Sequence, residues 1–157
     1  MVYITTKAQA YQLYSNRRRR MNMKKTMTIK QIDKYAAALQ QLQSAKKHWP
    51  VAVNYAIAKN LKMLLNELDT YLAEKNKLIQ DNALKDDNGR VIIKEESYQF
   101  PDGKEQDVLK EINELYNMET EIDVHMIRME DIIECDTDRY DGTTLEDMAA
   151  IEFMIQE

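Results

Sequence analysis

Residues 51–84 read VAVNYAIAKNLKMLLNELDTYLAEKNKLIQDNAL. Within them Val53, Ile57, Leu61, Leu64, Leu65, Leu68, Tyr71, Leu72, Leu78 and Ile79 recur mainly at three- and four-residue steps, which aligns them along one face of an α-helix. Lys59, Lys62, Glu67, Glu74, Lys75 and Lys77 occupy other positions. The spacing predicts one long helix, roughly Val53 to Leu84. About thirty residues at 1.5 Å rise span ~45 Å. A helix of that length cannot bury its own stripe, so neighbouring segments must cover it.

The first candidate lies upstream. Ile29, Ile32, Tyr35, Ala36, Leu39 and Leu42 repeat with the same period, and Thr28 is placed to cap the first turn. His48-Trp49-Pro50 ends this helix, because a residue before proline is pushed out of the α region. The two segments predict an antiparallel α-hairpin. Downstream, Asp86-Asp87-Asn88-Gly89 reads as a turn, and Asn-Gly tolerates the positive φ angles of type I′. Val91-Ile92-Ile93 and Tyr98-Gln99-Phe100 read as short strands, closed by Pro101-Asp102-Gly103, so that this segment is either a small hairpin or an ordered loop. A third helix is predicted from about Lys104 to Met118, with Val108, Ile112, Leu115 and Met118 on one face. Residues 121–129 alternate, with Ile122, Val124 and Met126 opposite Glu121, Asp123 and His125, which predicts a strand with a bend near Met126. Residues 130–142 read as an acidic loop. Thr143 and Glu146 form a capping-box pattern before a last helix, Leu145 to about Ile155. The fold class expected is α+β and mostly helical: a long antiparallel α-hairpin, a third helix, a small β element and a short C-terminal helix.

Charge divides the chain sharply. Residues 1–30 carry eight Lys and Arg and no acid, a net of +8, whereas residues 31–157 carry 14 bases and 27 acids, a net of −13. Residues 1–27 are expected to be a basic arm, either flexible or an extension upstream of the true start, since Met21, Met23 and Met27 follow closely. Residues 28–157 are expected to form one domain. Only three glycines and two prolines punctuate the chain, which favours long helices over many turns. The single cysteine, Cys135, rules out an intramolecular disulfide and fits a reducing compartment. No apolar run reaches the ~18 residues of a membrane span. A soluble, intracellular protein without a membrane partner is the expectation.

Each charged cluster has a chemical reading and a plainer one. Arg17, Arg18, Arg19 and Arg20, with Tyr3, Tyr11 and Tyr14 nearby, could grip phosphates and stack on bases. This is the candidate nucleic-acid contact, and the plainer reading is a tail. Glu130, Asp131, Glu134, Asp136, Asp138 and Asp141 could bind a divalent cation or form, with Trp49, a partner surface. The EF-hand register fails: with Asp136 first and Asp138 third, glycine should stand at 141, but Gly142 is one late and Tyr140 takes a ligand position. His48, His125 and Cys135 are too scattered for zinc, and nothing orients Cys135 and His125 as nucleophile and base. His125, on the polar phase of its strand, is expected to be exposed. Trp49 is expected either to close the open end of the hairpin or to anchor a partner. No motif calls for a catalytic residue, metal or cofactor.

The order of elements resembles a family of small uncharacterised proteins encoded by bacteriophages and prophages, known as a domain of unknown function. VAVNYAIAKNLKMLLNEL at 51–68, DDNGR at 86–90, LKEINELYNMETEIDV at 109–124 and LEDMAAIEFMI at 145–155 carry the likeness, which covers about residues 29–157. It transfers no functional residues. It implies a phage protein acting in particle production, host takeover or defence evasion, in the infected bacterial cytoplasm or associated with the virion. Two functions are expected. One is a non-enzymatic assembly or virion-associated accessory that binds another phage protein, or a second copy of itself through an apolar seam. The alternative is an acidic inhibitor of a basic host nucleic-acid-binding or defence enzyme, a nucleic-acid mimic of the anti-CRISPR-like type.

Overall fold

The computed structural model describes residues 22–156. The chain is α+β and mostly helical, as its periodicity requires. Strand β1 (Asn22–Thr28) leads into helix α1 (Ile29–Ala45), then α2 (Val51–Asn82), the short strands β2 (Ile93–Lys94) and β3 (Ser97–Tyr98), helix α3 (Lys104–Tyr116), strand β4 (Glu119–His125), and helices α4 (Met129–Cys135) and α5 (Leu145–Ile151). A single 3₁₀ turn, Glu152–Met154, follows α5.

Helices α1 and α2 pack together as the expected hairpin. Thr28 starts α1 through a capping box: its hydroxyl accepts from the Gln31 amide, and the Gln31 side chain accepts from the Thr28 amide. At the other end Lys46 adopts the left-handed conformation (φ 50°, ψ 41°) and its amide donates to the Gln43 carbonyl. Pro50 then opens α2, whose 32 residues span ~48 Å.

The main core lies between α1 and the first half of α2, closed by β4, the segment Met126–Ile127, α4, α5 and the 3₁₀ turn. Ile32, Leu39, Val53, Leu64, Val124, Ile127, Ile151 and Met154 are its best-buried members. Leu65, Leu68 and Tyr71 still pack against the edge of this core, and beyond Tyr71 the helix leaves it and meets mainly α3. There Ile79, Ala83 and Val108 are buried but stand apart from the main cluster.

Residues 83–103 form a tip over the end of α2. Three backbone hydrogen bonds close a ring there: Leu84 donates to Gln99 (2.7 Å), Gln99 to Ile92 (3.1 Å) and Ile92 to Leu84 (2.8 Å). Of the two readings of this segment the hairpin is the one that forms, with Ile93 paired to Tyr98 and Lys94 to Ser97. The type I′ geometry expected at the upstream Asn88-Gly89 turn falls instead in the turn of this hairpin. Two adjacent positive φ angles fall on Glu95 (49°) and Glu96 (63°), not on Asn88-Gly89. In the 86–90 turn only Gly89 is left-handed (φ 76°), and the Asp86 carboxylate accepts from the amides of Asn88 and Arg90. That side-chain bonding replaces the type I′ geometry.

Four boundaries move. Residues 22–27, assigned to a basic arm, are instead strand β1, antiparallel to β4 from Asn22–His125 to Thr28–Glu119. Met23 and Met27 alternate with Lys24 and Thr26, and Met27 is buried, so the segment is held by a partner about a hundred positions away in sequence. The acidic loop begins only after α4: Ile132 and Cys135 are buried on one side of a short helix within residues 129–135. The last capping box uses Thr144 and Asp147, one residue beyond the expected pair. The last helix stops at Ile151 and tightens into the 3₁₀ turn, which lets Ile127 pair in parallel with Ile155.

Candidate interaction surfaces

The acidic C-terminal part is largely occupied with holding itself together. Twelve Asp and Glu lie between Glu119 and Glu152. Asp131 receives a bidentate pair from the Arg128 guanidinium (2.9 and 3.1 Å). Asp136 accepts from the Thr143 amide (2.8 Å) and hydroxyl (3.0 Å). Asp141 accepts from the His48 amide (2.6 Å), while its own carbonyl takes the Trp49 indole N–H (2.7 Å). Asp147 pairs with Lys47, Glu121 with Lys24, Asp123 accepts from Asn22, and Glu152 accepts from the Tyr35 hydroxyl. Seven of the twelve are thus bonded within the molecule.

The candidate partner surface is accordingly smaller than the sequence suggested. Asp131 is buried beside Arg128, and Trp49 is buried in the main core, so neither offers an exposed face to a protein partner. Trp49 fits the reading of a cap on the hairpin, fixed by the loop through Asp141. Asp136 and Asp141 are exposed but shape the loop. Glu130, Glu134 and Asp138 are exposed, and no hydrogen bond or ion pair ties their carboxylates to another described residue. Arg17, Arg18, Arg19 and Arg20 lie outside the described residues.

His125 is buried, not exposed. Strand β4 ends there against Asn60, whose amide holds the strand end as a neighbouring strand would. Asn60 Nδ2 donates to the His125 carbonyl and the His125 amide donates to Asn60 Oδ1, both at 2.8 Å. The imidazole lies 3.2 Å from Asn22 Oδ1 at Nδ1 and meets the Tyr55 ring edge-on. Asn60 itself was missed by the sequence reading. The signal was a polar residue on the buried face of an otherwise apolar stripe, between Ile57 and Leu64. Cys135 is buried, and burial together with neighbouring Asp136 pushes its thiol up to about 11. It stays protonated near neutrality and donates weakly to the Asp131 carbonyl (3.5 Å). Among the described residues no group of three or more His, Cys, Asp and Glu is arranged to hold a metal, and no helix is long and apolar enough to cross a membrane.

Two places stand out on other grounds. Among the described residues, non-glycine positive φ angles occur at Lys46, Glu95 and Glu96 alone, that is, at the α1–α2 corner and at the tip. At the tip, the cross-strand partners Ile93 and Tyr98 are 58% and 39% exposed, and Leu84 beside them is 41% exposed. At the corner, Leu42, Gln43, Lys46, Lys47, Trp49, Asn54 and Ile57 line a cavity of about 330 Å³.

No family model, curated protein or solved structure matches the chain.

Proposed function

We propose that this protein is a non-enzymatic protein–protein interaction module that presents the tip of α2 to its partner. The observation that carries this reading is the exposed pair Ile93–Tyr98, with Leu84 beside it, at the far end of a 32-residue helix. Apolar cross-strand pairs normally stabilise a sheet by packing against something. Here both members of the pair stay exposed, in a region where Ile79, Ala83 and Val108 are the buried apolar residues. The turn that joins them keeps two acidic residues left-handed, a conformation that costs roughly 1–2 kcal/mol per residue. Backbone strain of this kind collects where a surface is shaped for use. The narrower form of the proposal is a phage assembly or virion-associated accessory, binding another phage protein or a second copy of itself, in the host cytoplasm or the particle. That form rests on the family resemblance alone.

The acidic-inhibitor reading draws less support, since more than half of the C-terminal carboxylates are bonded internally. The test is affinity capture from infected cells with quantitative mass spectrometry, beside light scattering of the pure protein. The same partner, or the same self-association, should be lost in Ile93→Asp/Tyr98→Ser and kept in Glu130→Gln/Glu134→Gln/Asp138→Asn, both checked for helicity. Capture indifferent to the tip variant but lost in the carboxylate variant would transfer the function to the acidic surface.

A further inference from the structure

The described part of the chain is acidic, with 17 Lys and Arg against 26 Asp and Glu, but its charge is not evenly spread. From Lys34 to Asn66 there is no acid, and Lys34, Lys46, Lys47, Lys59 and Lys62 all fall in that stretch. This stretch contains the α1–α2 corner and the cavity of about 330 Å³, near the lower end of the usual range for small-molecule sites. We propose that this cavity binds a small organic monoanion, a carboxylate carried on an apolar or aromatic body, with the Lys46 ammonium as its charge partner.

The walls are of two kinds. Leu42, Ile57 and Trp49 supply apolar surface, and Gln43, Lys46 and Asn54 supply polar groups. A ligand with one charged end and one apolar end satisfies both. The charge count selects a monoanion. Lys47 also lines the cavity, but its ammonium is taken by Asp147 and lies over the Trp49 ring, 5.4 Å from its centroid. Lys46 has no carboxylate partner among the described residues and is left as the uncompensated cation. Its backbone is left-handed, at a helix end where glycine is the usual choice. A glycine there would remove the strain and also the ammonium.

The cavity walls are braced by bonds that leave the Lys46 ammonium uncommitted. The loop at Asp141 fixes the His48 backbone and the Trp49 indole. Asn54 Nδ2 donates to the Trp49 carbonyl (3.1 Å), which leaves the Asn54 side-chain oxygen and second amide hydrogen uncommitted. A site whose walls are braced from behind is pre-organised, so little ordering cost falls on the ligand. The inference shares no residue with the tip surface, so the two can fail separately.

Phenylacetate is a suitable probe, with neutral phenylacetamide as its control. Trp49 is the only tryptophan, so its fluorescence reports on the cavity directly. ¹⁵N-resolved spectra of the full chain follow Gln43, Lys46 and Asn54. Saturable changes confined to these groups are expected with phenylacetate. Phenylacetamide, and phenylacetate with Lys46→Gln, should each bind about tenfold more weakly, the worth of one charge-assisted hydrogen bond. Lys46→Arg should retain binding, and Lys85→Gln, a lysine far from the corner, should change nothing. Absence of saturable changes, equal binding of the amide, or indifference to Lys46→Gln in a folded variant would each overturn the site.

Discussion

The two halves of α2 carry the same apolar spacing and meet different fates. Between Val53 and Leu64, Val53, Ala56, Ile57, Asn60, Leu61 and Leu64 are all buried. Between Leu65 and Asn82 only Ile79 is buried, Leu65, Leu68, Tyr71 and Leu78 are half-buried, and Leu72 is exposed. The helix is continuous and its period does not change. The difference is the number of elements that cover the stripe. The first half lies within the main core beside α1, β4 and α4, while the second touches that core only through Leu65, Leu68 and Tyr71 and otherwise depends on α3. Periodicity therefore reports which face of a helix turns inward, but tertiary neighbours decide how deeply.

The most severe test of this contrast is a pair of truncations in the one helix. Leu64→Ala removes a fully buried side chain from the main core and should cost about 3–5 kcal/mol in urea unfolding. Ile79→Ala removes one from the small distal cluster, which can relax around the loss, and should cost about 2 kcal/mol. Equal costs would show that the distal arm is as well packed as the body.

The next largest effect concerns a polar member of the buried stripe. Asn60→Ala deletes both hydrogen bonds to the end of β4 and leaves the His125 amide and carbonyl facing the core. About 2–4 kcal/mol should be lost, since each buried polar group left unpaired costs ~1–3 kcal/mol. A variant of unchanged stability would mean that β4 is anchored by its apolar side chains alone.

A smaller effect depends on pH. Burial of the Asp147 carboxyl would raise its pKa, but the Lys47 ammonium and the amide and hydroxyl of Thr144 outweigh burial and hold it below the ordinary value. A carboxyl depressed in the folded state contributes stability above its unfolded pKa of ~3.9, and that contribution fades as pH falls below ~4 through the folded value. Asp147→Asn should therefore lower the urea midpoint at pH 7 and flatten the acid limb of the stability profile. A profile parallel to wild type would assign the acid sensitivity to other carboxylates.

How much of this was legible depended on distance along the chain. The helices α1, α2 and α3 and the Thr28 cap arise from local spacing and capping chemistry and stand close to where the residues placed them. The hairpin instead pairs 93–94 with 97–98, closer to its left-handed Glu95-Glu96 turn than the strands expected at 91–93 and 98–100. Strand β1 was hidden because its partner is nearly a hundred residues away, and because Lys25 occupies an inward-phase position among its methionines. Helix α4 was hidden by composition: an acidic stretch reads as loop unless Arg128 is seen to neutralise Asp131 so that it can be buried. Asp131 was read as a surface residue, and Trp49 as either a cap or an anchor for a partner, because a sequence shows a side chain's chemistry but not its cover. The corner cavity left a trace in the sequence, the acid-free run from Lys34 to Asn66, which the larger charge asymmetry of the chain obscured.

The smallest effect lies within the β1–β4 sheet, where the same two strands show an inner and an outer face. On the inner face Met23 stands opposite Val124 and Met27 opposite Thr120. On the outer face Lys24 reaches Glu121 at 2.8 Å, with both side chains well exposed (73% and 59%). Water and salt screen such a pair, and ordering two long side chains offsets the remaining attraction. Lys24→Gln should leave the thermal midpoint unchanged within error in 150 mM salt, whereas Met27→Ala should lower it measurably. If the charge variant unfolded earlier, the outer face would be holding β1 in place, and the strand's attachment would then weaken as salt is raised.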